Sequence, residues 1–193
     1  MFKEYGKEFS MKDYGDKVDG IPRMNGARAI LAGMSEGELD KASAKKQRYF
    51  LDSLEVEGVN VYKTSSGLIR ELKQNDIKIA VISSSKNCSD ILEKAGLYPL
   101  IDAEIGGKET VKGKPDPWIF LEAAKKLNLK PEECIVFEDA LLGVEAGKRS
   151  GIFTIGVDRR DAPERLKKAD RVIKDLGEVD YKKLSEFLGE QNK

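Results

Sequence analysis

From about residue 61 onward, helix-type and strand-type segments alternate along the chain, and this alternation most constrains its fold. SGLIRELKQND has the apolar spacing of an amphipathic helix, and IKIAVISS, which follows it, is short, apolar and β-branched. The later strand-type segments are AEIGG, CIVFED, FTIGVD and, as a candidate edge strand, RVIKDL, and the helix-type segments are NCSDILEKAGL, DPWIFLEAAKKLNL, ALLGVEAGKRSG and YKKLSEFLGEQ. Strands separated by single helices predict βαβ units and a doubly wound parallel α/β sheet.

The first sixty residues contain no segment of the buried-strand type. MNGARAILAG and SEGELDKASAKKQRYFLDSLEV carry apolar residues at helical spacing. Ser35 and Glu38 have the three-residue spacing of a capping box, which marks the start of a helix. We therefore predict a small helical subdomain over residues 1–60 and an α/β core domain over residues 61–193.

The composition excludes several classes of function. Lys+Arg and Asp+Glu both number 34, so no net charge favours nucleic acid as a partner. The chain has no histidine, which excludes histidine general bases, histidine zinc sites and Ser-His-Asp triads. No apolar run approaches the roughly 18 residues of a membrane span, and MFKEYGKEF is too charged for a secretory signal. We expect a cytoplasmic protein whose two cysteines, Cys88 and Cys134, are reduced.

Polar residues follow two of the strand-type segments, where open parallel sheets bind their ligands. Ser83, Ser84 and Ser85 follow IKIAVI and lead into a helix, so their hydroxyls and the free N–H groups there suit a phosphate. Glu138 and Asp139 follow CIVF, and their carboxylates suit a hard cation such as Mg²⁺. Either group could instead only cap the helix that follows it.

Lys114 lies between Gly113 and Pro115, in a stretch that the proline makes unsuitable for a helix. Alone it would be interpreted as a solvated loop lysine. Phosphoryl transfer, however, requires a phosphate cradle, a cation for the spread charge and a metal held by carboxylates. Because all three occur in order on successive loops, the combination favours a phosphoryl-transfer site.

These motifs together resemble the haloacid dehalogenase superfamily over residues 18–157, nearest to its beta-phosphoglucomutase-like branch with a helical cap. VISSSKN looks like the second motif of that family, with its phosphate-binding hydroxyl at Ser83. GKPDPWIF looks like the third, with its lysine at Lys114, and VFEDALLGVEAGKRSG like the fourth. The resemblance implies that Ser83 and Lys114 are catalytic and that Glu138 and Asp139 bind Mg²⁺.

The cap and the loop after the first strand-type segment extend the resemblance. VDGIPR resembles the cap segment whose arginine meets the substrate's non-reacting phosphate, and AKKQRYF contains a matching cap lysine. The substrate-binding residues implied in this way are Arg23, Lys46, Ser84, Ser85, Lys86 and Asn87. They imply a small phosphorylated sugar as substrate, turned over by a phosphatase or, with two phosphate positions, by a phosphoglucomutase.

The chain departs from the family in its first motif, a strand that ends in D-x-D and supplies the nucleophile. Asp13, Asp16 and Asp19 follow no apolar strand. In the family this strand lies between the strands that here end at Ser83 and Glu138. We therefore expect the core to lack its first strand and the 193-residue chain to be inactive. The alternative is a truncated or degenerate relative that binds phosphate or metal without turnover.

The first fourteen residues are interpreted as a helix and not as the missing first strand. MFKEYGKEFSMKDY looks like the end of the family's first helix as it enters the cap. Phe2, Tyr5 and Phe9 would give this helix one apolar face.

Overall fold

A computed structural model describes residues 2–18, 23–83, 85–106 and 113–191 of the chain. The helices are α1 (Met11–Lys17), α2 (Arg23–Ile30), α3 (Glu36–Glu57), α4 (Lys63–Gln74), α5 (Cys88–Lys94), α6 (Trp118–Lys126), α7 (Leu141–Arg149) and α8 (Tyr181–Gln191). The strands are β1 (Ala80–Ile82), β2 (Ala103–Ile105), β3 (Ile135–Glu138), β4 (Phe153–Val157) and β5 (Arg171–Ile173). None of the described helices is long and apolar enough to cross a bilayer.

The described elements before residue 60 are all helical. α3 begins directly after Ser35, and the Glu38 carboxylate accepts hydrogen bonds from the Ser35 N–H (2.9 Å) and hydroxyl (2.6 Å). The predicted helix start is thus confirmed. Leu31, Leu39 and Ala42 are buried and form the small core of this region. The division into subdomains at residue 60 stays a prediction.

The first fourteen residues differ from the predicted continuous helix. A 3₁₀ helix spans Phe2–Tyr5 and ends at Gly6, which has φ of +65°, and α1 begins only at Met11. A left-handed glycine cannot continue a right-handed helix, so the chain turns at that point. The Phe2 and Phe9 rings lie 4.7 Å apart between centroids, and Phe2 and Tyr5 pack against the core around Leu31.

The strands form parallel ladders, as predicted. β1 pairs with β2, while β4 lies between β3 and β5. One hydrophobic cluster packs α4 and α8 against β4 and β5, and a second packs α6 and α7 against β1, β2 and β3. Helices therefore cover both faces, which confirms a doubly wound α/β fold. β1 is shorter than the segment IKIAVISS that predicted it.

β1 and β3 are not paired with each other in the described part of the chain. A cavity of about 630 Å³ separates them, and it is lined by both strands and by helices from both faces of the sheet. This is the place where the family resemblance put an absent strand. The fold thus consists of a two-stranded and a three-stranded sheet that flank one apolar slot.

Candidate active site

An ion pair lies at the carboxyl end of β3. The ammonium group of Lys114 donates a hydrogen bond to Oε1 of Glu138, and the two side chains are only 23% and 9% exposed. The ammonium nitrogen also lies 5.3 Å from the centroid of the Phe120 ring. The fold thus joins two predicted site residues that are 24 positions apart in sequence.

The surroundings of Lys114 act on its charge in opposite directions. Burial has the largest effect and lowers the pKa of the Lys114 ammonium, while the negative charge of Asp139 opposes that shift. The hydrogen bond to Glu138 also favours the charged form. The site therefore holds a positive charge in a partly desolvated place, where it interacts more strongly with an anion than it would in water.

The Glu138 carboxylate is fixed by the first turn of α7. Its Oε2 accepts a hydrogen bond from the Ala140 N–H (3.3 Å), and a Cβ atom built on Gly143 would lie 2.2 Å from its Cδ. Only glycine leaves room for the carboxylate at this close approach. The role of Gly143 was missed in the sequence, where only its position five residues after Glu138 could have suggested it.

Asp139 is more open, since its side chain is 59% exposed and its Oδ2 lies 3.9 Å from Nε of Arg159. The described residues contain no group of three or more carboxylate or cysteine ligands for a metal. Mg²⁺ commonly binds one or two carboxylates and keeps several waters, so the donor set of Glu138 and Asp139 fits this ion. Arg159 also lies over the Tyr62 ring (4.2 Å to the centroid), a contact that no sequence pattern indicated.

The loop after β1 is ordered by its own hydroxyl groups. The Ser83 Oγ accepts a hydrogen bond from the Ser85 N–H, and the Ser85 Oγ accepts one from the Asn87 N–H, both at 3.1 Å. Lys86 lies exposed in the turn, and Ser84 lies outside the described residues. The loop therefore presents the hydroxyl groups of Ser83 and Ser85 just before α5.

The side chain of Asn87 connects this loop to α3. Asn87 is 5% exposed, and its Oδ1 accepts a hydrogen bond from Nε2 of Gln47 at 2.6 Å. The other amide atom of Gln47, Oε1, is buried and has no hydrogen-bond partner among the described residues. Sequence reasoning selected the neighbouring Lys46, which lies exposed on α3, and missed Gln47. Arg23 begins α2, and its side chain lies outside the described part.

The structure therefore arranges the predicted residues in two groups. Lys114, Glu138 and Asp139 lie at the carboxyl end of β3. The loop from Ser83 to Asn87 lies at the carboxyl end of β1, on the other side of the cavity between the sheets. The roles of all these residues stay predictions. One group offers a cation and two carboxylates and the other offers hydroxyl groups, which are the kinds of group that a phosphate and a divalent ion require together.

Comparison with known proteins gives consistent matches. The model of the haloacid dehalogenase-like hydrolase family matches residues 3–151. A beta-phosphoglucomutase of Mycobacterium bovis is 33% identical over 191 residues, 86% of this chain and 72% of the relative. A validoxylamine A 7'-phosphate phosphatase of Streptomyces hygroscopicus is 37% identical over 114 residues, 58% of this chain and 54% of the relative. The crystal structure of beta-phosphoglucomutase from Clostridium difficile superposes with a TM-score of 0.87 at 28% identity, covering 97% of this chain and 86% of that one.

Proposed function

Because the chain belongs to the haloacid dehalogenase-like hydrolase family, we propose that its site serves magnesium-dependent phosphoryl transfer on a small sugar phosphate. The observation that carries the proposal is the pair of Lys114 and Glu138, held beside Asp139 at the end of β3. A half-buried cation next to two carboxylates is the arrangement that a phosphate and a divalent ion require together.

In the proposed mechanism, the positively charged and hydroxyl side chains bind the phosphate, and the carboxylates bind the metal ion. The Lys114 ammonium and the Ser83 hydroxyl bind the oxygens of the transferred phosphoryl group and stabilise the negative charge that spreads over them. Glu138 and Asp139 hold Mg²⁺, which when bound neutralises phosphate charge as a Lewis acid. Gly143 keeps the Glu138 carboxylate in place, because any larger residue would displace it.

The substrate class is supported by the relatives and by the loop after β1. The similar proteins include beta-phosphoglucomutases and a validoxylamine A 7'-phosphate phosphatase. In our proposal Arg23 and Lys46, together with the loop residues Ser84, Ser85, Lys86 and Asn87, bind the sugar and a second, non-reacting phosphate. A second phosphate position favours a phosphoglucomutase over a phosphatase.

The 193 residues themselves supply no D-x-D sequence. We therefore propose that this polypeptide binds phosphate and Mg²⁺ but does not form an aspartyl phosphate. The alternative function, a non-catalytic phosphate- or metal-binding relative, would show the same behaviour. A polypeptide with a strand-type segment ending in D-x-D fused ahead of residue 1 distinguishes the two, because only the enzyme gains turnover.

The test combines turnover with binding. Hydrolysis of p-nitrophenyl phosphate and conversion of glucose 1-phosphate are measured with Mg²⁺ for both polypeptides, and phosphate and Mg²⁺ binding are measured by calorimetry. We expect binding by both and turnover of about 1 s⁻¹ or more only with the added segment. Asp139→Asn should weaken Mg²⁺ binding, while Asp52→Asn on the exposed face of α3 should not. Binding unaffected by Asp139→Asn would contradict the metal site, and turnover by the 193 residues alone would contradict the missing nucleophile.

A further inference from the structure

The loop after β4 places a second cation beside the carboxylates that follow β3. β4 pairs with β3 in parallel, and Gly156 lies in register with Glu138. Because parallel neighbours end at the same edge of a sheet, the residues after β4 emerge next to Asp139. There Nε of Arg159 lies 3.9 Å from Oδ2 of Asp139. Arg159 therefore lies next to one of the two side chains to which we assign Mg²⁺.

The guanidinium group of Arg159 is placed by an aromatic ring and not by this carboxylate. A separation of 3.9 Å is too long for a hydrogen bond between Arg159 and Asp139. The guanidinium carbon Cζ lies 4.2 Å from the centroid of the Tyr62 ring, a distance at which the face of the ring attracts a cation. The charge is thus kept close to Asp139 without being bonded to it.

The backbone that carries Arg159 is fixed on both sides. Asp158 is 6% exposed, and its Oδ1 accepts hydrogen bonds from the N–H groups of Arg160 and Ala162, each at 3.1 Å. The N–H of Asp158 donates to the Ile173 carbonyl of β5 at 2.7 Å. These bonds hold the loop at the end of β4, so the position of Arg159 does not depend on its contact with the neighbouring carboxylate.

The backbone that carries Tyr62 is fixed in a similar way. Val61, directly before it, packs against the buried cluster around Leu92. The Thr64 hydroxyl, two residues after it, donates to Oδ2 of Asp175 at 3.0 Å. Tyr62 therefore lies between two anchored residues at the start of α4, where its ring supports the guanidinium group of Arg159.

A fixed positive charge at this place acts directly on a divalent cation. The guanidinium group of an arginine stays charged in proteins, so it neutralises part of the charge of Asp139. Mg²⁺ bound to Asp139 would lie within roughly 6 Å of the guanidinium group, given Mg–O distances of about 2 Å. Repulsion between these charges in water weakens Mg²⁺ binding about tenfold. A phosphate at the same site carries negative charge that offsets this repulsion.

We propose that Arg159 is a built-in counter-ion of the metal site: held over Tyr62, it opposes the binding of Mg²⁺ at Asp139 unless a phosphate supplies compensating negative charge. Arg159 acts through Asp139 and is a positioning residue, not a catalytic one. The proposal rests on the proposed function, because it takes Asp139 as a ligand of Mg²⁺. It adds that Mg²⁺ and phosphate bind cooperatively, and that the loop after β4 sets the strength of this coupling.

The first test measures Mg²⁺ binding to the full 193-residue chain by calorimetry. We expect Arg159→Gln to bind Mg²⁺ about tenfold more tightly than the unchanged protein. Arg159→Lys keeps the charge and should stay within about threefold of the unchanged protein. Arg70→Gln, at an exposed position of α4, removes the same charge elsewhere and should change binding less than about twofold. Equal or weaker Mg²⁺ binding by Arg159→Gln would overturn the proposal.

Salt and phosphate separate this electrostatic effect from a structural one. At 1 M NaCl the Debye length is about 3 Å, so the difference between Arg159→Gln and the unchanged protein should fall below about threefold. In saturating inorganic phosphate the two Mg²⁺ affinities should also converge to within about threefold, because the phosphate supplies the compensating charge. A tenfold difference that persists under both conditions would show a structural effect of the substitution and overturn the proposal.

A matched pair of variants tests the ring that supports the guanidinium group. Tyr62→Phe keeps the aromatic face and should bind Mg²⁺ like the unchanged protein. Tyr62→Leu removes that face, which frees the guanidinium group to move away from Asp139, and should tighten Mg²⁺ binding about threefold. Unchanged binding by Tyr62→Leu would overturn the role given to the ring.

The Asp139→Asn variant separates the failure of this proposal from the failure of the proposed function. If Asp139→Asn weakens Mg²⁺ binding but Arg159→Gln leaves it unchanged, the metal site is supported and the role of Arg159 is wrong. If the unchanged protein does not bind Mg²⁺, both proposals are wrong. Weaker binding by Asp139→Asn together with tighter binding by Arg159→Gln would support both.

Discussion

The carboxyl ends of β3 and β1 carry the two halves of the candidate site, and they are constructed differently. After β3, Glu138 is nearly buried, contacts Lys114 and packs against Gly143 in the next helix. After β1, the serine loop is bonded to itself, and Asn87 at its end accepts a hydrogen bond from Gln47 of α3. Tight packing around a charge fixes the half of the site after β3. The position of the half after β1 depends on where α3 lies.

This difference has an energetic consequence. A buried ion pair that loses one partner leaves an uncompensated charge, which is far more costly than the loss of one neutral hydrogen bond. The β3 half should therefore respond strongly to substitution and the β1 half weakly. In the proposed function, a rigid β3 half would suit the reacting phosphate, while the β1 half, joined to α3 through the Gln47–Asn87 hydrogen bond, would adjust with the position of α3.

The largest effect is expected from Glu138→Ala. The variant leaves the Lys114 ammonium in a mostly buried place without its partner, and we expect the free energy of unfolding to fall by about 3 kcal/mol. A change of about 1 kcal/mol in the free energy of unfolding shifts the Tm of a domain of this size by about 2 to 4 °C, so the Tm of the variant should fall by about 10 °C. Urea denaturation measures the free energy of unfolding, and thermal denaturation measures the Tm. Asp139→Ala, at the neighbouring exposed carboxylate, is the control and should change stability little. Equal losses of stability in Glu138→Ala and Asp139→Ala would contradict the view that the buried contact between Glu138 and Lys114 holds the β3 half together.

Gly143→Ala tests the packing of the same half without removing a charge. The new Cβ would overlap the Glu138 carboxylate, so the side chain must move and its contact with Lys114 must weaken. We expect a loss of about 1 to 3 kcal/mol, as for overpacked cores, measured by urea denaturation. Gly37→Ala in α3 is the matched control, because its Cβ would meet nothing within 4 Å. It should be neutral or stabilising through helix propensity. Unchanged stability in Gly143→Ala would show that Glu138 is free to rearrange.

Gln47→Leu tests the β1 half and should cost about 1 kcal/mol. The substitution removes a hydrogen bond to the buried Asn87 but also removes the unpartnered Oε1 of Gln47, so part of the loss is offset. A double-mutant cycle with Asn87→Ala isolates the coupling between the two side chains. Arg48→Leu, on the exposed side of the same helix, is the control. A coupling free energy near zero would mean that this hydrogen bond does not hold α3 against the loop.

The elements that were predicted correctly are those whose signal is local. The start of α3 follows from Ser35 and Glu38, three residues apart, and each strand after residue 61 was predicted from its own short segment. The helix over the first residues was wrong because the apolar spacing outweighed Gly6, whose left-handed conformation ends the 3₁₀ helix. Local apolar spacing indicates a tendency to form a helix, but one glycine in the left-handed conformation can end that helix.

The site residues that were missed are those whose importance comes from contacts between distant segments. Lys114 and Glu138 were each selected from their own motif, but their direct contact was not foreseen. Gln47 lies 40 residues from Asn87, and Gly143 matters only because a carboxylate occupies the space its side chain would take. Such contacts arise from how the elements pack, and one sequence contains no direct record of packing.

The smallest effect concerns the two thiols, which report on the two halves separately. Cys88 follows Asn87 at the β1 half, and Cys134 directly precedes β3. Burial raises the pKa of Cys88 to about 11 and also raises the pKa of Cys134, so both are almost wholly protonated at pH 8. Because only the thiolate reacts, alkylation by iodoacetamide should be slow at pH 8 and should accelerate about tenfold per pH unit up to each thiol's pKa.

Cys134 should be modified first, since it is half-buried whereas Cys88 is 5% exposed. The informative measurement is the ratio of the two rates, read by mass spectrometry of the labelled peptides in the unchanged protein and in Gln47→Leu. If the Gln47–Asn87 hydrogen bond holds the β1 half closed, its loss should raise the Cys88 rate several-fold and leave the Cys134 rate unchanged. Equal acceleration of both thiols would instead show that the substitution loosens the whole core, and the two halves would then respond as one unit.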